Sequence, residues 1–144
     1  MMKRILAAAV LAAATAMPAL AHDYGFAGLL SKDNRETLEP LTLGSGKPVA
    51  AAPYELKSGT YYKMKIVADG SAELALSGGD FFRAIWINEI VINQIEVRPL
   101  GVHSLEFDAA GEADLSFIAI TPGSYELKIP GSSGDTQKAI FNIR

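Results

Sequence analysis

The chain contains no cysteine. That absence excludes disulfides, thiolate metal ligands and redox-active thiols together. Histidine is nearly as scarce, with His22 and His103 the only two in 144 residues. Three of the four methionines, Met1, Met2 and Met17, fall near the start, which leaves Met64 alone in the rest of the chain. Soft-metal chemistry therefore has little to draw on. Positive charge is in deficit as well: 13 Lys and Arg against 16 Asp and Glu give a formal charge of −3. Such a balance offers no electrostatic footing for nucleic acid or for an anionic membrane. The Gly-x-Ser-x-Gly elbow and the glycine-rich phosphate loop are both missing. Ser104 follows His103 directly, and neighbours in a strand point to opposite faces. Asp33-Asn34-Arg35-Glu36 and Ser132-Ser133-Gly134-Asp135 read as solvated loops, and Glu89 and Glu96 as outward charges. The expectation is a protein that is not an enzyme.

What the chain does carry begins with an address. Met1-Met2-Lys3-Arg4 is basic, Ile5 to Ala16 is apolar and Ala-rich, and Met17-Pro18-Ala19-Leu20-Ala21 ends small-x-small. These are the parts of a secretory signal peptide, and the apolar run falls short of the roughly 20 residues that span a bilayer. We expect a signal peptide at residues 1–21, cleavage after Ala21, and one domain at residues 22–144. Removing 21 of the 144 residues leaves 123, and losing Lys3 and Arg4 moves the formal charge from −3 to −5. One domain of that length buries an adequate core without crosslinks. The expected location is periplasmic or secreted, with no membrane association after cleavage.

The rest alternates at the period of strands. Glu36 to Leu43 does so weakly, with Pro40 favouring an edge. Thr60, Tyr62, Met64 and Ile66 share one face, Lys63 and Lys65 the other, and Asp69-Gly70 is a hairpin turn signal. Phe81 to Val97 is dominated by β-branched and aromatic residues, which favours two strands bending at Asn88-Glu89. Phe81, Phe82 and Trp86 read as core, and Tyr54 and Tyr61 as exposed and available to a partner. The stretch Gly111 to Ile129 is expected to form a hairpin around Thr121-Pro122-Gly123-Ser124, with Tyr125, Leu127 and Ile129 on its buried side. Ala139 to Ile143 closes the chain as a last strand. About seven to nine short strands without an amphipathic helix point to an all-β fold, an antiparallel Greek-key β-sandwich.

From Phe81 to Arg144 the order of these elements resembles the cupredoxin fold of plastocyanin-like copper proteins. Trp86-Ile87-Asn88 is similar to the family's strand ending in Asn, Gly111 to Phe117 to its apolar strand, and Gly123-Ser124-Tyr125-Glu126-Leu127-Lys128-Ile129 to its Gly-x-Tyr-x-Phe-x-Cys strand. The resemblance implies a cupredoxin-like sandwich. It does not extend to the copper ligands. Ile129 stands where the family has its thiolate, Ser132 and Asn93 where it has imidazoles, and Gln137 near the axial Met. A blue-copper centre needs Cys sulfur and two imidazoles, so conventional electron transfer is excluded.

One other copper site remains open to this composition. Cleavage after Ala21 would make His22 the first residue, and a free α-amine with its own imidazole chelates Cu(II) through two nitrogens. His103 is the one residue able to add a third nitrogen, with Asp23, Glu106 and Asp108 as candidate carboxylates. Against this, His103 shares strand parity with Leu105 and Phe107, which would make it a partly buried core residue. Two readings follow. The favoured one is a copper protein for handling or delivery, with metal at His22, either alone as a weaker ligand or completed by His103, in which case His22 folds back to within about 5 Å of His103. The alternative is a metal-free binding or accessory module serving a periplasmic protein partner in a larger exported system, showing an apolar patch or an open strand edge.

Overall fold

Alternation in the stretch Tyr61–Ala68 sets one layer of the protein: Tyr62, Met64, Ile66 and Ala68 are buried, while Lys63 and Lys65 face out. The computed structural model describes residues 28–144. The expected signal peptide, the boundary at residue 22 and His22 itself lie outside the described residues. In chain order the strands are β1 (Arg35–Thr37), β2 (Leu41–Leu43), β3 (Tyr54–Leu56), β4 (Tyr61–Ala68) and β5 (Leu74–Ser77). A short helix α1 (Gly79–Ala84) follows, then β6 (Ile85–Ile92), β7 (Ile95–Val97), β8 (Ser104–Phe107), β9 (Gly111–Ala119), β10 (Gly123–Lys128) and β11 (Lys138–Ile143). Two sheets pack face to face. The first runs β1-β4-β9-β6-β7, with β2 also paired to β4, and the second runs β3-β11-β10-β5-β8. Leu41, Ile66, Leu115 and Phe117 of the first sheet meet Leu76, Leu127 and Phe141 of the second, all essentially inaccessible to solvent. Among the described residues no helix is long and apolar enough to cross a membrane.

The expected all-β sandwich is present, and most pairings are antiparallel. β1 and β2 against β4, and β3 against β11, are instead parallel. β1 and β2 occupy the same edge of β4, separated by the break around Pro40, which confirms the edge role of that segment.

The expected hairpin from Gly111 to Ile129 does not form. β9 is paired on one edge with β4, from Tyr61↔Ile118 to Ala68↔Gly111, and on the other with β6. With both edges taken, β9 has nothing to offer β10, and Ile120 to Pro122 carries the chain into the other sheet. The crossing is held by the Ala84 carbonyl, which accepts from the amides of Ile120 (3.0 Å) and Thr121 (2.9 Å). The Tyr125 hydroxyl donates back to the Thr121 carbonyl at 3.1 Å. The turn at Asp69-Gly70 behaves likewise: Gly70 uses the expected positive φ of 74°, yet β4 and β5 end in different sheets.

Two more expectations are corrected around the aromatic run. Phe81 and Phe82 lie on α1 rather than in a strand, and Phe81 stacks on Phe141 at 4.2 Å between centroids. Tertiary packing of these rings outweighs their strand propensity. Asn88-Glu89 is not a bend between strands but a β-bulge within continuous β6. The chain reverses at Asn93 and Gln94, both with positive φ (49° and 67°), as a two-residue hairpin loop requires. Tyr54 and Tyr61 are buried rather than exposed. Tyr54 stacks on Phe141, and Tyr61 lies beneath the Arg35 guanidinium, 5.0 Å from the ring centroid. Trp86, expected in the core, is instead half exposed, at 47%.

Candidate functional site

His103 enters β8 one residue before its first paired position, Ser104↔Ser77. Its carbonyl accepts from the Gly78 amide at 3.2 Å, which ties the β7–β8 connection to the start of α1. Ser77 Oγ stands 3.5 Å from Nδ1. The far edge of the ring faces Gly79, where an added Cβ would come within 3.1 Å of Cδ2. His103 is exposed, while Leu105 and Phe107, of the same parity, are half-buried against the core. The partly buried core residue expected from strand parity is therefore not what His103 is: its side chain leaves the sandwich because the strand begins after it. Glu106 and Asp108 are also exposed. Among the described residues no group of three or more His, Asp or Glu is placed to hold a metal ion. His22 and Asp23, the other expected ligands, lie outside the described residues.

On its second side His103 borders an apolar groove of about 340 Å³ lined by Ile90, Ile92, Val97, Pro99 and Leu105. The groove runs between β7, at the edge of one sheet, and β8, at the edge of the other. Ile95 (65% exposed), Ile92, Val97 and Leu100 project from the same hairpin and its exit. Glu89 and Glu96 are not isolated outward charges here. Arg98 bridges them at 3.2 and 3.1 Å and fixes the base of the hairpin.

A larger polar cleft of about 760 Å³ opens between α1 and β10, lined by Gly79, Asp80 and Arg83 on one wall and Ser124, Glu126 and Lys128 on the other. Asp80 is paired with Arg83 at 3.0 Å, and Glu126 with Lys138 at 3.1 Å.

The positions that correspond to blue-copper ligands can now be placed. Ile129 is buried just past β10, and its amide donates to the Gln137 carbonyl at 3.0 Å. The Ser132 hydroxyl donates to the Ile129 carbonyl at 2.6 Å. The Gln137 side-chain amide donates to the Lys47 carbonyl at 3.1 Å. These three positions thus converge in one closed loop, but with an alkyl group, a hydroxyl and an amide already committed to backbone. Asn93 sits apart, in the exposed β6–β7 turn. This donor set does not fit a blue-copper ion.

No protein-family model matches the sequence, and no curated protein does either. Solved structures do match. A multi-copper oxidase from Pseudomonas thermotolerans aligns with a TM-score of 0.57 at 12% identity, over 78% of this chain and 30% of that one. A laccase-like multi-copper oxidase from Ochrobactrum sp. aligns at 0.56 and 8%, over 78% and 32%. The copper nitrite reductase of Nitrosomonas europaea aligns at 0.51 and 17%, over 66% and 33%. This chain spans about a third of the length of the solved structures it matches. At such identities the likeness is one of fold. The chain is a cupredoxin-like β-sandwich that lacks the blue-copper cysteine and histidine ligands.

Proposed function

We propose that the chain is an exported cupredoxin-like protein, cleaved after Ala21, that binds copper for handling or delivery at a non-blue site and performs no catalysis with its own side chains. The α-amine and imidazole of His22 form the chelate, and His103 supplies a further imidazole. The observation that carries this reading is the exposure of His103: its ring stands outside the core, with one weak contact to Ser77, and is free to take a metal. The copper-protein fold is consistent with it but does not by itself argue for a site.

The test is a Cu(II) titration of the protein beginning at His22, followed by calorimetry and EPR, beside a version with one extra alanine ahead of His22. The extension keeps the imidazole and removes the terminal amine from the chelate. Tight one-to-one binding that collapses in the extended protein supports the reading, and His103→Ala then weakens what remains of the site. Equal, weak binding in both versions rejects it.

The second reading, a metal-free accessory module for a periplasmic protein partner, is favoured by a different observation. The exposed Ile92, Ile95, Val97 and Leu100 beside the edge strand β7 are the apolar patch that this alternative calls for. Failure of the copper titration would leave it standing.

A further inference from the structure

Strand β7 ends its sheet and pairs on one side alone, with β6 at Ile90↔Val97, Val91↔Glu96 and Ile92↔Ile95. Asn93-Gln94 is a two-residue loop with both φ positive, so the Ile92↔Ile95 pair beside it is hydrogen-bonded. Alternation then turns the N–H and C=O of Ile95 and Val97 toward β6, and those of Glu96 away from it. Arg98 continues the phase, because Pro99 holds the residue before it extended. Ile95 to Arg98 are all exposed, and among the described residues no main-chain hydrogen bond from another element reaches Glu96 or Arg98. Side chains divide in the same way. Val97 shares the face of buried Ile90 and lines the apolar groove, Ile95 lies on that face too, and Glu96 and Arg98 lie on the outer one. Ile95 and Val97 stay exposed on the inner face, so β7 reaches past the second sheet and an incoming strand meets it first.

We propose that a second copy of this chain pairs with this edge, β7 antiparallel to β7, across a two-fold axis through Val97. Glu96 of each copy exchanges both main-chain hydrogen bonds with Arg98 of the other. Val97 of one copy faces Val97 of the other, and Ile95 faces Pro99. Charge chooses this register. An axis through Glu96 or Arg98 would set like charges directly opposite each other. One through Ile95 would need Gln94, whose φ of 67° takes it out of extended backbone. A slip of one residue would set apolar side chains against charged ones. Through Val97, each Glu96 stands opposite an Arg98 on the outer face, and apolar side chains meet on the inner one. Arg98 already contacts Glu89 and Glu96 at 3.2 and 3.1 Å, which holds its guanidinium at this edge. Short, charged edges resist indiscriminate pairing, and opposite charges two residues apart leave this one pairing favourable. The inference is independent of copper, and it gives to a second copy the patch that the metal-free reading gives to a partner protein.

The experiment is sedimentation equilibrium on the protein beginning at His22, from about 1 μM to 1 mM, a range that brackets a small interface. The expected result is a dimer whose dissociation constant rises at least about tenfold in Glu96→Arg and in Arg98→Glu, each of which sets like charges opposite one another. An equimolar mixture of the two variants should associate again, since each then offers the other the opposite charge at both pairs. A second measurement exploits the absence of cysteine. Val97→Cys should give a disulfide-linked dimer under mild oxidation. Ile95→Cys, at the more exposed position (65% against 44%), should not, because the two-fold axis holds the two copies of residue 95 too far apart for a disulfide. A monomer throughout the range, association indifferent to charge reversal, no recovery in the mixture, or crosslinking at Ile95 in preference to Val97 overturns the proposal. Should a charge variant fail to fold, the cysteine pair still decides.

Discussion

The Tyr62 hydroxyl accepts a hydrogen bond from the Lys57 amide at 2.8 Å, tying the β3–β4 turn to the middle of the core. Tyr62 is 1% exposed and packs against Phe117. Replacing it with Phe keeps the ring and orphans the Lys57 N–H, at a cost of about 1–2 kcal/mol in chemical denaturation.

The same residue makes stability depend on alkaline pH. Burial, offset in part by the Lys57 bond, raises the Tyr62 pKa, and burial with the nearby Glu39 charge raises that of Tyr54. The unfolded chain loses these protons first. Stability is therefore expected to be undiminished by them below about pH 10 and to fall as pH rises beyond it. Unfolding midpoints measured across that range should fall less steeply in Tyr62→Phe than in the parent.

At acid pH the sign reverses. The Lys47 ammonium at 2.7 Å, with the Ser71 hydroxyl and amide, holds the Asp69 carboxyl well below the usual carboxylate range. Its contribution is present above the ordinary Asp pKa and is lost as pH falls below it. The pair is exposed, so added salt should shrink the effect. Carboxyl NMR should show Asp69 titrating far below the other acids, and Lys47→Met should move it upward.

Gly78 is a position that admits no side chain. An added Cβ would collide with the Glu126 carbonyl and approach Leu127 Cδ2 to 2.7 Å. Because the obstacle is backbone, Gly78→Ala should cost about 1–3 kcal/mol, read from thermal or denaturant unfolding. By contrast, His103→Ala should change stability by no more than about 0.5 kcal/mol, since the ring is exposed and makes one long contact.

At the β6–β7 turn, Gln94 holds φ at 67° without the freedom of glycine. Gln94→Gly supplies the residue that this turn type prefers. It should raise stability by about 0.5–1 kcal/mol, the relief of left-handed strain less the entropy that glycine loses on folding, visible as a higher denaturant midpoint.

Little of the candidate site was legible before the fold was known. His103 stood out because only two histidines exist, but parity with Leu105 and Phe107 suggested burial, and the point at which β8 begins reversed that. The polar cleft left no local signal, since α1 was concealed within a run of strand-favouring residues. The exposed groove at His103 arises where two sheet edges meet, and neither edge can be inferred from its own segment.

What the sequence alone determined was the inward face of the strands that alternate cleanly, β4 and β9 above all. Tyr62, Met64 and Ile66, or Leu115 and Phe117, alternate because side chains in a strand alternate, a property of local backbone geometry. The missing cysteine likewise excluded blue copper without any structure. Tertiary structure decided which edges pair. Gly111 to Ile129 contains two strands and a turn, but whether they become a hairpin depends on competition for the edges of β9. β4 and β6, contributed from elsewhere in the chain, take both edges, so the turn becomes a crossing between sheets. β10, freed from β9 by that crossing, pairs instead with β11 along its whole length.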